Sequence, residues 1–70
     1  MFIRNSNIGP GVAIGGRCEI GSGVYVGIGA SIVEFIKVTE GVVLGAGATL
    51  VHHADIPGTY VGVPAKKLGT

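Results

Sequence analysis

Tryptophan is absent from this 70-residue chain, cysteine occurs once, and charged residues make up only 13% of it. One cysteine, Cys18, excludes an internal disulfide. Together with two adjacent histidines, it also falls short of the three or four spaced ligands of a zinc site. Positive charge is scarce too. The net charge is +1, and Arg4, Arg17, Lys37, Lys66 and Lys67 are mostly scattered, which is not the clustered cationic surface that binds nucleic acid. No stretch approaches the roughly 20 apolar residues of a membrane span. The opening Met1-Phe2-Ile3-Arg4-Asn5-Ser6-Asn7 has no apolar run long enough for a signal peptide. The expectation is a soluble cytoplasmic protein with neither a nucleic-acid nor a membrane partner.

Glycine and aliphatic residues, by contrast, are abundant, and they are ordered. Ile8, Ile14, Ile20, Val26, Ile32, Val38, Leu44 and Leu50 recur at every sixth position, each followed four residues later by a small or apolar side chain such as Val12, Cys18, Val24 or Ala30. A period of six fits neither the 3.6 of a helix nor bare strand alternation. It fits a chain that turns a corner every six residues, the mark of a β-solenoid. In Ile20-Gly21-Ser22-Gly23-Val24-Tyr25-Val26, Val24 and Val26 point inward, Tyr25 points outward, and the glycines make the corner. Eleven of the 14 glycines lie at such corners between Gly9 and Gly47. A helix would lose about 1 kcal/mol at each of them.

Three sides make a coil of 18 residues, so residues 18 apart stack about 4.8 Å from one another. The expected stacks are Phe2–Ile20–Val38, Ile8–Val26–Leu44 and Ile14–Ile32–Leu50. The chain then reads as one all-β domain. Coils occupy residues 2–51, a polar loop 52–58, and a terminal strand with a closing segment 59–70. A chain this short buries only about 60% of its unfolded surface. With 47% hydrophobic residues and no disulfide or metal, association with copies of itself is the reinforcement left.

Chemistry is sparser than architecture. There is no nucleophile elbow, phosphate loop or carboxylate pair. Gly27-Ile28-Gly29 and Gly45-Ala46-Gly47 are followed by no helix, so they are corners rather than dinucleotide fingerprints. They lie 18 residues apart, with Gly9-Pro10-Gly11 one coil earlier. Together they form a smooth edge along which an extended ligand can reach backbone N–H and C=O groups. Cys18 stands where Val12 and Val24 stand, as a small buried residue. His52 and His53 point to opposite sides of an extended chain and cannot serve one site. Ile32-Val33-Glu34-Phe35-Ile36 is a corner without glycine. It places Phe35 on the surface, against a neighbouring subunit, or in a substrate-contacting bulge.

The Ile-Gly-x-Gly-Val units, then Val42-Val43-Leu44-Gly45-Ala46-Gly47-Ala48-Thr49-Leu50-Val51, then Tyr60-Val61-Gly62-Val63-Pro64-Ala65-Lys66 closely resemble the C-terminal part of hexapeptide-repeat acyltransferases. The likeness is to the sialic acid O-acetyltransferase and bacillosamine-type sugar N-acetyltransferase group. That resemblance implies a left-handed parallel β-helix, an exception to the right-handed crossover rule. It also implies a homotrimer in which acetyl-CoA lies along the groove between neighbouring helices. The pantetheine arm is implied to meet Ile28 and Ala46 with the flanking Gly27, Gly29, Gly45 and Gly47. The nucleotide end would lie near Pro64-Ala65-Lys66, with Lys66 on a phosphate. The acetyl group would go to a sugar or nucleotide-sugar hydroxyl or amine, and no metal is implied.

Departures from the family pattern bear on activity. The family's general base is a histidine in a coil that would precede Met1, and a second family histidine aligns with Asn7. The family's N-terminal domain for the nucleotide-sugar acceptor has no counterpart in this sequence. General-base catalysis supplies roughly 10²- to 10⁴-fold in rate, so weak or no activity is expected of this chain alone. The alternative is a non-catalytic trimeric β-helix module or remnant. A carbonic anhydrase would need three spaced histidines. An ice-binding face would need threonines in stacking register, whereas Thr39, Thr49 and Thr59 fall ten apart.

Overall fold

The computed structural model describes residues 2–3 and 5–68. Short strands recur at every side of the expected coil. They are β1 (Phe2–Ile3), β2 (Asn7–Ile8), β3 (Ala13–Ile14), β4 (Glu19–Ile20), β5 (Tyr25–Val26), β6 (Ser31–Ile32), β7 (Lys37–Val38), β8 (Val43–Leu44) and β9 (Thr49–Leu50). A closing pair follows, β10 (Thr59–Val61) and β11 (Lys66–Lys67). From β1 to β9, strands three apart in sequence pair in parallel; with β10 parallel to β8 and β11 beyond it, they build three faces, ordered β1-β4-β7, β2-β5-β8-β10-β11 and β3-β6-β9. The chain winds as a three-sided prism, and the described residues include no helix.

Alternation along each strand sorts the side chains. Ile20, Val26, Ile32, Val38, Leu44 and Leu50 point inward and are at most 3% exposed. Their strand partners Glu19, Tyr25, Lys37 and Val43 point out. The stacks Ile8–Val26–Leu44 and Ile14–Ile32–Leu50 form in the expected register. The first stack differs from expectation: Ile3, not Phe2, pairs with Ile20, and Phe2 pairs with Glu19. The chain takes five residue steps from Ile20 to Tyr25 but four from Ile3 to Asn7, because the first corner is one residue shorter.

The last coil is shortened as well. Ala54 bridges Val38, and Tyr60 pairs with Leu44, both offsets of 16 rather than 18. Residues 52–58 therefore carry a fully buried Ala54 on the first face, in addition to their exposed polar groups. Shortening removes a ladder partner. Glu19, Tyr25 and Ser31 donate their backbone N–H to the carbonyl 17 residues on. The Lys37 N–H instead donates to Nδ1 of His53 at 2.9 Å. An imidazole substitutes there for the carbonyl that two more residues would have brought into place. His53→Ala is expected to lower stability by about 0.5–1.5 kcal/mol, the net worth of one hydrogen bond. His52→Ala should stay within about 0.5 kcal/mol of the parent. Paired urea titrations measure the difference.

The top of the core is closed by Tyr60, which is 8% exposed over Leu44 and donates its hydroxyl to the Ile56 carbonyl at 2.6 Å. β11 then pairs antiparallel with β10, so the last parallel strand does not present an open edge.

The corners share one backbone device. Positions 11, 17, 23, 29, 35, 41 and 47 all have φ between 58° and 75°. Five of these are glycine; the other two are Arg17 and Phe35, which lie on the same edge in successive coils. Left-handed backbone costs an L-residue roughly 1–2 kcal/mol. The Arg17 guanidinium lies 5.7 Å from the Phe35 ring centroid, and an exposed contact of this kind returns only about 0.5–1 kcal/mol. Within one chain, the two substitutions leave a deficit.

Candidate functional site

The expected smooth edge exists. The corners Pro10–Gly11, Ile28–Gly29 and Ala46–Gly47 lie directly above one another, joined by Gly29 N–H to the Pro10 carbonyl at 3.0 Å and Gly47 N–H to the Ile28 carbonyl at 2.8 Å. The Ile28 and Ala46 N–H groups and the Ala46 carbonyl enter no coil-to-coil bond among the described residues. Ile28 is 63% exposed and Ala46 is exposed. Along this edge the molecule offers amide groups beside the exposed apolar surface of Ile28 and Ala46.

The glycines of this edge divide into two kinds. A Cβ at Gly27 would lie 2.7 Å from the Ala46 nitrogen, and one at Gly9 would lie 3.0 Å from the Ile28 nitrogen. Coil stacking alone demands glycine at 27 and favours it at 9, whatever else the edge does. Gly29 and Gly47 have open space around them and are set by φ of +69°. Exposed Tyr25 and Val43 flank the edge on the face that carries β10.

Lys66 lies at the closing end of the same edge. It pairs with Val61, whose Cγ1 would meet a Cβ at Gly45 at 2.8 Å. Ala65 donates its N–H to the Thr49 carbonyl at 2.7 Å, which fixes the segment to β9. Asn7 stands at the other end, exposed on β2 and paired with Tyr25. From Pro10 through Ile28, Ala46 and Val61 to Lys66 is four strand spacings, on the order of 19 Å. Gly27 to Gly29, Gly45 to Gly47 and Lys66 are thus brought into one line, with Asn7 near its far end.

Other singled-out residues fall elsewhere. Cys18 is buried and donates its S–H to the Val33 carbonyl at 3.0 Å, as a core residue supporting the glycine-free corner. His52 and His53 are exposed beyond β9, away from the glycine edge. Two shallow grooves of about 440 and 410 Å³ flank the β4–β7 face, the second lined by Arg17, Phe35, Lys37 and His53. Neither lies at the glycine edge. The edge of a prism is convex, and a cleft walled on both sides forms there only against a second molecule. Among the described residues, no group of three or more His, Cys, Asp or Glu is placed to hold a metal ion. Nor is any helix there long and apolar enough to cross a membrane.

The pairing of Arg17 with Phe35 was not read from the sequence. Its signal was present: both occupy the register of Gly11, Gly23, Gly29, Gly41 and Gly47.

No protein-family model and no curated protein sequence matches the chain. Several solved structures do. The acetyltransferase domain of PglB from Neisseria gonorrhoeae, determined also in complex with acetyl coenzyme A, superposes with a TM-score of 0.87 at 36% identity. The match covers 90% of this chain and 31% of that one. A variant of GDP-perosamine N-acetyltransferase from Caulobacter crescentus, in complex with CoA and GDP-perosamine, gives a TM-score of 0.86 at 28% identity over 90% of this chain and 30% of that chain. Maltose O-acetyltransferase from Clostridium difficile gives 0.66 at 28% identity, over 81% and 27% of the two chains. This chain spans under a third of the length of each. Its fold is the left-handed parallel β-helix, and over most of its length it is similar to the β-helices of hexapeptide-repeat acetyltransferases.

Proposed function

We propose that the chain is the cofactor-holding β-helix of an acetyl-CoA-dependent sugar acetyltransferase and works as a homotrimer. Acetyl-CoA lies along the glycine edge, in the cleft that this edge forms with a neighbouring copy. The observation that carries the reading is the line of unclaimed amide groups at Ile28 and Ala46, ending at Lys66. Pantetheine is a thin chain with two amides of its own. It needs donors and acceptors spaced along an accessible surface, and this edge supplies them. The adjoining Ile28 and Val43 side chains give its methylene groups apolar contact. At the closing end, the Lys66 ammonium meets a phosphate as a point charge.

What the edge does chemically is hold and orient the donor. Its groups are backbone amides, aliphatic side chains, the Lys66 ammonium at the closing end and, at the acyl end, the carboxamide of Asn7. A carboxamide accepts and donates hydrogen bonds but does not take a proton at neutral pH. General-base assistance to the acceptor hydroxyl or amine must therefore come from a group off this edge. Without it, the chain binds the donor and transfers acetyl weakly.

Calorimetric titration of the assembled protein with acetyl-CoA tests the reading, with saturable binding as the expected result. No heat at millimolar acetyl-CoA would remove it. A stable assembly without cofactor affinity would instead identify a module kept for association alone, a reading favoured by the lack of a proton-accepting side chain on the edge.

A further inference from the structure

The edge formed by Gly16–Arg17 and Glu34–Phe35 carries two backbone outliers that their mutual contact within one chain only partly compensates. Arg17 and Phe35 hold φ of 58° and 62° at positions filled elsewhere by glycine. Phe35 is 59% exposed and its neighbour Val33 is 40% exposed, so packing inside the prism does not offset the strain. Strain that persists at a surface points to a use for the side chains that cause it.

The surroundings say what kind of use. Arg17 and Lys37 share this part of the surface with Glu19 and Glu34, and Lys37 lies 3.9 Å from Glu19. Two charges of each sign nearly cancel, so a strongly charged ligand gains little here. A second copy of the same edge gains more. Around a rotation axis the same edge of every copy meets its neighbours, and an edge bearing both signs is complementary to itself. An aromatic anchor inside a polar, charged rim is also the composition of an association hot spot.

We propose that copies of this chain meet along the Arg17–Phe35 edge, with Phe35 buried in the contact and Arg17 facing Glu34 of the next copy. The assignment deepens the homotrimer proposed above and rests on it only for the existence of a second copy. The cofactor edge is a different edge of the prism.

Sedimentation equilibrium, with thermal melts across a range of protein concentrations, tests this on the parent chain and three variants. Phe35→Gly is expected to weaken association at least about 10-fold. At the lowest concentration, where monomer dominates, it should melt higher than the parent, because glycine adopts this backbone freely. Arg17→Glu should also weaken association, and Arg17→Glu with Glu34→Arg should recover it. A Phe35→Gly chain that associates as tightly as the parent overturns the proposal, as does a parent that stays monomeric at every concentration. Failure of the double variant to recover overturns the Arg17–Glu34 pairing. Acetyl-CoA titrated into the parent separates the two readings. Absent binding with Phe35-dependent association sinks only the cofactor reading. Intact binding with Phe35-independent association sinks only this one.

Discussion

Gly15→Ala is expected to cost about 3 kcal/mol, although it adds a single methyl group. A Cβ at this position would lie 2.5 Å from the Glu34 nitrogen and 2.8 Å from both Glu34 Cα and the Val33 carbonyl carbon. All three are backbone atoms of the corner above, so no side chain can swing away. The corners must part, and parting them pulls on the Gly15 N–H bond to the Ile32 carbonyl, which is 2.7 Å long. A domain of 70 residues has on the order of 4–10 kcal/mol in total, so the loss takes a large share of it.

Two neighbouring cases separate crowding from conformation. Gly16 has nothing within 4 Å and an ordinary φ, so Gly16→Ala should change stability by less than about 0.5 kcal/mol. Gly29 is equally open but sits at φ +69°, so Gly29→Ala should cost about 1 kcal/mol through backbone strain alone. Urea titrations at one fixed protein concentration give the order Gly15, Gly29, Gly16. Equal losses at Gly15 and Gly16 would mean that the coils are not in the tight contact described.

The architecture was legible because one constraint wrote itself many times. Each coil must place an aliphatic residue inside and turn a corner in a fixed number of residues, so Ile8, Val26 and Leu44 announce a stack before any coordinate is known. Deviations occur once each and leave no period. The shortened first corner puts Ile3 rather than Phe2 on Ile20. The shortened last coil puts Ala54 on Val38 and recruits the His53 ring as a backbone substitute. Neither shift is written in a repeat, because each is a local solution of chain length against hydrogen bonding. Handedness was not readable either, since an inward–outward alternation with corners is the same for both hands.

The candidate site was harder to read for a related reason. Glycine along the candidate edge has two sufficient causes, and only one concerns a ligand. Stacking requires Gly27 and favours Gly9 by contact, and the backbone angle favours glycine at 29 and 47, so their spacing would look the same with no cofactor. The residues that carry functional information are those free to be larger. Ile28 and Ala46 both occupy exposed first positions of a corner, like Glu34 on another edge. An alanine at 46 is therefore not imposed by the fold.

That freedom gives the last prediction its force. Ala46→Trp is expected to weaken acetyl-CoA binding at least about 100-fold, some 2.7 kcal/mol, while leaving the fold intact. Ala46 is exposed and its φ lies outside the left-handed region, so an indole is accommodated by the backbone and spreads over the surface. It would cover the unclaimed Ala46 N–H and carbonyl and block the line between Ile28 and Lys66, which an extended cofactor must cross. Ser22→Trp provides the matched control. It sits at the same exposed first position of a corner on another edge, and cofactor affinity should stay within about threefold of the parent. Calorimetry on both variants, with melting curves to confirm that each is folded, measures the contrast. If the parent binds acetyl-CoA and Ala46→Trp binds it equally well, the cofactor lies elsewhere on the molecule and the glycine edge is a product of stacking alone.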